Sequence, residues 1–354
     1  MVTNTSNSGQ HFLLSAQART LSVLKVARMT DDQAHQLFKE LRWGEGEEVT
    51  CPNCGDSNKH YFIKTRRQWR CKSCQRSFSV TSGTIFANHK LPLTTYLVAI
   101  AIYTNAVKGI SSLQLSRDLG VQYKTAFVLS HKLRESLMIK RDETPLSGEV
   151  HIDGAYVNGS IRPANQKKNR VDTRLEENQK PGKCCVVVMH QKVPEEKGHG
   201  ADRTITAVVK NENRKDVGKL AEKYISPDAI VCADESKAYD GLHATNETHR
   251  VKHAERFRAK DGTTNNQAES YFSRLRRMQY GQVHRFGQVC MEDYANEAAY
   301  REDTRRVDNG GIFRDIVEKC ARSKNSRNWS GYWQGNKKPR VDLETGEIIY
   351  PAVA

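Results

Sequence analysis

Four cysteines and three acids carry the chemistry open to this sequence. Cys51 and Cys54 form one CxxC pair and Cys71 and Cys74 another, with sixteen residues between the pairs. Two pairs at such a spacing suit tetrahedral coordination of Zn²⁺ by four thiolates, each pair on a tight knuckle. Four thiolates leave no open position, so this zinc is structural. The acids are Asp153, Asp234 and Glu269. Any one of the chain's 41 acids could be an ordinary surface residue, so the assignment rests on position. Asp153 ends the run GEVHID, Asp234 ends the short apolar run AIVCAD, and Glu269 follows Asp234 by 35 residues. Three acids brought together repel one another unless a divalent cation neutralises them. Oxygen-only ligands favour Mg²⁺ or Mn²⁺ over zinc. Two such ions, about 3.5–4 Å apart, would activate a nucleophile and stabilise the leaving oxygen of a phosphoryl transfer.

These side chains need elements to hold them. Residues 1–47 begin with a Ser-, Thr-, Asn- and Gln-rich stretch and continue into a helix. Thr30-Asp31-Asp32-Gln33 has the form of a capping box at its start. Residues 48–88 hold the cysteines, and the alternating HYFIKTRRQWRC between them predicts the hairpin of a zinc ribbon. Residues 89–141 turn helical. LPLTTYLVAIAIYTNAV predicts an apolar helix, and SSLQLSRDLGVQYKTAFVLSHKLRESL two helices about a tight turn at Leu119-Gly120-Val121. A plain helical hairpin and a DNA-binding helix-turn-helix fit that pattern equally, and the basic charge favours the second. Its second helix would present Gln122, Lys124, Thr125, His131, Lys132 and Arg134 outward.

After a break at KRDETPLSGE the pattern becomes alternating. Residues 148–305 predict three strands, a helix, a fourth strand ending at Asp234, a fifth in THRVKHAERFRA, and a helix opening near Asn265 or Asn266. That order fits the mixed sheet with flanking helices of the ribonuclease H-like α/β fold, in which the strands of Asp153 and Asp234 lie side by side at the centre. Glu269 falls in the first turns of the next helix, and Arg276, two turns further on the same face, is placed to meet a phosphate. Residues 158–183 carry seven basic and three acidic side chains without apolar periodicity, which predicts a long insertion between strands. Cys184, Cys185 and Cys232 lie in apolar runs and read as buried and structural. Residues 306–354 predict a basic tail, helical at first and then fraying into SKNSRNWSGYWQGNKKPRVDL, which has little core pattern.

The 354 residues suit several domains, and the formal charge of +15 points to a polyanionic partner. The pI is near 9.4 and the mean hydropathy is −0.71. No apolar run approaches the ~20 residues of a membrane span, and the first ten residues lack a signal-peptide pattern. Cysteines spaced as metal ligands suit a reducing cytosol.

The ribbon followed by GISSLQLSRDLGVQYKTAFVLSHKLR resembles the N-terminal half of bacterial insertion-sequence transposases of the ISXO-like type. GEVHIDGAYVNG, DESKAYDGL and NNQAESYFSRLRRMQYG resemble their acid-triad (DDE) domain. The resemblance implies a ribonuclease H-like catalytic domain with two Mg²⁺ or Mn²⁺ ions. It further implies cleavage and strand transfer at the terminal inverted repeats of an element. Double-stranded DNA is then the partner, at least a dimer is needed to hold two ends, and a cytoplasmic, nucleoid-associated location follows. Where the family reads Asp-Glu-Thr-Tyr, this chain has Asp153-Gly154-Ala155-Tyr156. In some members an asparagine corresponding to Asn266 counts as the third site residue, so Asn266 competes with Glu269. The family's lysine after the glutamate is Arg276 here, which keeps the charge and changes the donor geometry. Two other readings of the residues are a ribbon and helix-turn-helix regulator with an inactive sheet domain, and a ribonuclease H-like nuclease without strand transfer.

Overall fold

The computed structural model describes residues 12–139, 141–158, 163–172, 175–178, 183–194, 200–251, 266–326, 328–343, 345 and 347–349. The chain divides into two compact units, one formed by residues 1–140 and 304–337, the other by 141–303 and 338–354.

The first unit opens with α1 (Val23–Ala27) and α2 (Asp31–Trp43). The Thr30 hydroxyl accepts from the Gln33 amide while the Gln33 side chain accepts from the Thr30 amide, so the capping box is complete. Ala34, Phe38 and Leu41, spaced i, i+4, i+7, are buried on one face of α2. The ribbon follows. Strands β1 (Val49–Thr50) and β2 (Ser57–Asn58) pair antiparallel, as do β3 (Tyr61–Ile63), β4 (Gln68–Arg70) and β5 (Ser77–Phe78). Its small core is aromatic: Trp69 stacks on Phe78 with ring centroids 5.8 Å apart, and Trp43 of α2 meets Trp69 edge-on at 5.4 Å.

Three helices come next: α3 (Leu93–Asn105), α4 (Ser112–Leu119) and α5 (Tyr123–Leu137). The Ser111 hydroxyl caps α4 by accepting from the Gln114 amide at 3.1 Å. Gly120 ends it in the left-handed region (φ 64°), where a side chain would be strained. The hydroxyls of Ser112 and Ser130 lie 2.9 Å apart and tie α4 to α5.

Here the structure corrects two expected DNA-facing residues. Gln122 and Lys124 are exposed and Thr125 is half-buried, but His131 and Arg134 are buried. The cause lies far along the chain. Residues 304–337 return to this unit, through the helix Asn309–Arg322 and the segment after it. That helix buries Phe313, Ile316, Val317, Cys320 and Ala321. Trp329 then stacks on His131 at 4.5 Å and meets Phe127 edge-on at 5.6 Å, while Arg134 turns inward to donate to the Ser130 hydroxyl. A stretch without core periodicity thus covers the middle of α5 and leaves only its first turn in solvent.

The second unit is a mixed α/β layer. Its strands are β6 (Glu149–Val157), β7 (Cys184–Lys192), β8 (Ala201–Val209), β9 (Ile230–Asp234) and β10 (Glu247–Val251). They form one sheet in the order β10-β9-β6-β7-β8, with β6-β7-β8 antiparallel and β6-β9-β10 parallel. One face packs Val150, Ile152, Val187, Met189, Val231 and Ala233 against Val217 and Ala221 of α6 (Arg214–Tyr224). The other packs Val157, Val186 and Val188 against α7 (Asn266–Met278) and α8 (Met291–Asp303). On α7 the buried residues are Ala268, Tyr271, Phe272, Leu275 and Met278, one stripe of a 3.6-residue period. The expected fifth strand is present over its described part, Glu247–Val251. Residues 252–265 lie outside the described residues, as does Asn265 with them. Within 158–183 the described residues form only short 3-10 turns, Lys167–Asn169 and Glu176–Asn178. Among the described residues no helix is long and apolar enough to cross a membrane.

Replacing Trp329 by alanine is expected to cost about 3–5 kcal/mol, the range for emptying a buried aromatic site. It should appear as a lowered midpoint in denaturant unfolding of the first unit. The exposed neighbour Trp333→Ala is the control and should shift stability by less than about 0.5 kcal/mol.

Candidate active site

The two aspartates meet because of the register. On the parallel pair β6 and β9, Ile152 lies opposite Ala233. Asp153 and Asp234 each follow by one residue, so they sit side by side and point to the same face, across the ~4.8 Å that separates strands. That face is the one covered by α7. Asp153 Oδ1 accepts from the Gly154 amide at 2.8 Å, and Asp234 Oδ1 from the Ser236 amide at 2.9 Å. Arg250 on β10 fastens the turn after Asp234. Its Nε donates to the Asp234 carbonyl, its Nη2 to the Ser236 carbonyl at 2.7 Å and its Nη1 to Asp240 Oδ1 at 3.1 Å.

Glu269 stands in the first turn of α7 and is exposed. Its helix is anchored through α8: Arg274 Nε donates to the buried Glu302 at 2.6 Å. From α8, Asp303 Oδ1 accepts from the Thr204 hydroxyl of β8 at 2.6 Å, and Asn296 Oδ1 from the Thr206 hydroxyl at 2.8 Å. Asn266, the first described residue of α7, is exposed. Arg276 is exposed two turns beyond Glu269, with its guanidinium 5.9 Å from the Phe272 ring centre.

Burial pushes the Asp153 carboxyl up to about 7, and the charges of Asp234, Glu212 and Glu269 push the same way against the pull of the Gly154 amide. Asp153 therefore senses both expected partners, and one residue that pattern reading missed. Glu212 lies between β8 and α6. Its carboxylate accepts from the Tyr239 hydroxyl, and its amide donates to the Tyr156 hydroxyl at 3.0 Å. Burial raises its own carboxyl, with Asp234 adding to the rise. A Cβ at position 154 would stand 2.7 Å from Glu212 Oε1 and 3.1 Å from Cys185 Sγ. Gly154 thus leaves the space that Glu212 fills. A glycine inside a strand often marks such a close approach, and it was the only sign of Glu212 in the sequence.

In the ribbon, ligand atoms from Cys51, Cys54, Cys71 and Cys74 all lie within 4.8 Å of one another. The Sγ atoms of Cys51 and Cys74 are 3.7 Å apart, those of Cys54 and Cys71 3.5 Å. A tetrahedron with Zn–S bonds of about 2.3 Å has edges of about 3.8 Å, so the thiols fit zinc. Each knuckle closes on an amide, Gly55 to the Cys51 carbonyl at 2.9 Å and Gln75 to the Cys71 carbonyl at 3.1 Å.

Residues 145–303 match the ISXO2-like transposase domain, and residues 29–77 match the transposase zinc-ribbon domain. The chain thus carries a domain of the ISXO2-like transposase type after a zinc ribbon of the transposase type. A protein of Halobacterium salinarum, named "Uncharacterized protein in transposable element ISH50", is 26% identical over 220 residues, 60% of this chain and 70% of that protein. The transposase domain match takes in all five strands of the sheet and ends at Asp303, the last residue of α8. The ribbon match begins just before α2, the helix whose Trp43 completes the ribbon's aromatic core.

Two outcomes follow for this chain. Chelation of zinc should unfold the ribbon, because four thiolates without metal have no apolar core large enough to replace it. Faster proteolysis between Val49 and Phe78, reversed by added zinc, is the expected readout. The second concerns pH. An acid with a raised folded pKa keeps its proton up to that value, and a divalent ion must displace it. Affinity for Mg²⁺ should therefore climb as the pH rises towards about 7 and level off above it, whereas an unperturbed aspartate would level off by about pH 5. Titration calorimetry at several pH values reads this, and a flat affinity between those limits would contradict it.

Proposed function

We propose that this chain is an insertion-sequence DNA transposase whose second unit is a ribonuclease H-like catalytic domain. The observation that carries the proposal is the register that sets Asp153 beside Asp234 at the centre of a five-stranded mixed sheet. Glu269 on α7 adds a third charge that acts on Asp153. The strand order supports the fold assignment, since the first and fourth strands of the unit are neighbours.

A carboxylate cluster with a half-buried member fits hard divalent cations. Asp153, Asp234 and Glu269 would hold them, with Asn266 as an alternative amide ligand near Glu269 and Glu212 beside the pair. Mg²⁺ or Mn²⁺, bound as two ions, supplies charge neutralisation and activates the attacking and leaving oxygens of an in-line phosphoryl transfer. The protein's own part is positioning. The strand ends keep the two aspartates in place, Arg250 fixes the turn that follows Asp234, and α8 fixes the helix of Glu269. Arg276 is available to a DNA phosphate. Gln122, Lys124 and Thr125 at the start of α5 form the base-reading end of the helix-turn-helix, with Lys124 Nζ held 4.5 Å from the Trp333 ring. Terminal inverted repeats are the substrate, a dimer or larger assembly holds both ends, and the cytoplasmic nucleoid is the place of action.

Cleavage of DNA bearing the element's ends should need Mg²⁺ or Mn²⁺. Asp234→Asn should slow it by several hundredfold or more, the order found for losing one electrostatic stabiliser. Undiminished cleavage by that variant would refute the catalytic role. Pre-cut 3′-OH ends should yield recombinant joints with target DNA. Hydrolysis products alone would leave a nuclease, and binding without any cleavage would leave a regulator.

A further inference from the structure

The strands that carry the aspartates hold a different set of donors two residues earlier. His151 on β6 is in register with Cys232 on β9, and Cys232 with His249 on β10. On the other side His151 is in register with His190 of β7. Partners in register on neighbouring strands point to the same face. One row across four strands therefore reads His190, His151, Cys232, His249, on the face that also carries Asp153 and Asp234. Glu149, two residues before His151, shares that face. Its Oε1 accepts from His151 Nε2 at 2.8 Å and its Oε2 from Lys192 Nζ at 2.7 Å. Ligand atoms from Glu149, His151 and Cys232 all lie within 4.8 Å of one another.

An ordinary core explains this group poorly. His151 is 1% exposed and Cys232 3%. The second ring nitrogen of His151, Nδ1, is buried and has no hydrogen-bond partner among the described residues. A buried polar atom left without a partner costs about 1–3 kcal/mol, and here it belongs to a residue whose neighbour in the row is a thiol. Carboxylate oxygen, imidazole nitrogen and thiol sulfur together are the donor set of a borderline transition ion, whereas the aspartates offer oxygen alone.

We propose that Glu149, His151 and Cys232 form a second transition-metal site in this chain, suited to Zn²⁺ and separate from both the ribbon thiols and the aspartate pair. His249, next in the row beside Cys232, stands outside this three-residue group, with its Nε2 bonded to Glu247 Oε1 at 2.9 Å. Glu149 has a side chain 34% exposed and opens the site to solvent. Lys192 holds its other oxygen and so orients the carboxylate, as outer partners of metal ligands do. Binding displaces the thiol proton of Cys232, so affinity for the ion rises with pH. An ion here would pin β6 to β9 two residues from the point where their aspartates meet, and so help fix the spacing of that pair. This site does not depend on the transposase reading.

The test counts metal in the full-length chain. Protein equilibrated with zinc in excess Mg²⁺, so that the all-oxygen site is filled by the harder ion, is desalted and its zinc measured. About two zinc ions per chain are expected, one in the ribbon and one here. Cys232→Ala and His151→Ala should each lower the count to about one, with the ribbon's zinc retained. Replacement by Co²⁺ gives an independent reading: the thiolate-to-cobalt absorption should lose a one-thiolate component in Cys232→Ser, a substitution of nearly equal size. A count of one in the unaltered chain overturns the proposal without recourse to any variant. So does a count of two that survives loss of Cys232, or a cobalt spectrum that Cys232→Ser leaves unchanged.

Discussion

Like charges forced together at the end of two neighbouring strands set the terms for the second unit. At the spacing of adjacent strands, about 5 Å, and an effective dielectric of about 20, two carboxylates repel by about 3 kcal/mol. Asp153 answers by holding its proton to about pH 7, driven first by burial and then by its acidic neighbours. A fold that kept this arrangement for stability alone would be hard to explain. A cation joining the group would relieve the repulsion, and under the proposed function the acids would be its ligands.

The rest of the sheet domain can be understood as what holds that unfavourable cluster in place. Val150, Ile152, Val231 and Ala233 bury one face of β6 and β9 against α6, so the alternate residues, Asp153 and Asp234 among them, must point to the other. A one-residue slip in register would reverse both aspartates at once. The α7 side is unusually polar beneath its apolar stripe. Glu297 and Glu302 are fully buried, yet Arg301 and Arg274 meet them at 2.9 and 2.6 Å. Buried pairs of this kind contribute little net stability, but breaking one strands a charge. The Arg301–Glu297 pair lies within α8, and the Arg274–Glu302 pair ties α7, and with it Glu269, to that helix.

The first unit solves a different problem. The ribbon is too small to bury a core of its own, and its four thiols and stacked Trp69 and Phe78 take that role. The helices beyond it depend on a segment near the other end of the chain: Trp329 stacks on His131 and so decides which part of α5 faces solvent. The solvent-facing surface of α5 is narrower than helical periodicity alone would draw, and it is concentrated at its start, around Gln122 and Lys124.

Spacing along the chain was enough to determine much of this protein. The two CxxC pairs, the capping box at Thr30, the glycine turn between α4 and α5 and the alternating runs ending at Asp153 and Asp234 are local signals. Their physics lies within a few residues, so they can be read without a fold. The ISXO-like resemblance was legible for the same reason. Tertiary structure alone decided the rest. Glu212 comes to the aspartates from a loop 59 residues after Asp153, and only the missing side chain of Gly154 hinted at it. His131 and Arg134 carry polar groups, yet the late-arriving Trp329 turns their helix face inward. The row of His190, His151, Cys232 and His249 exists only because four strands align. Burial and register depend on partners distant in sequence, and no local pattern encodes which partner will come.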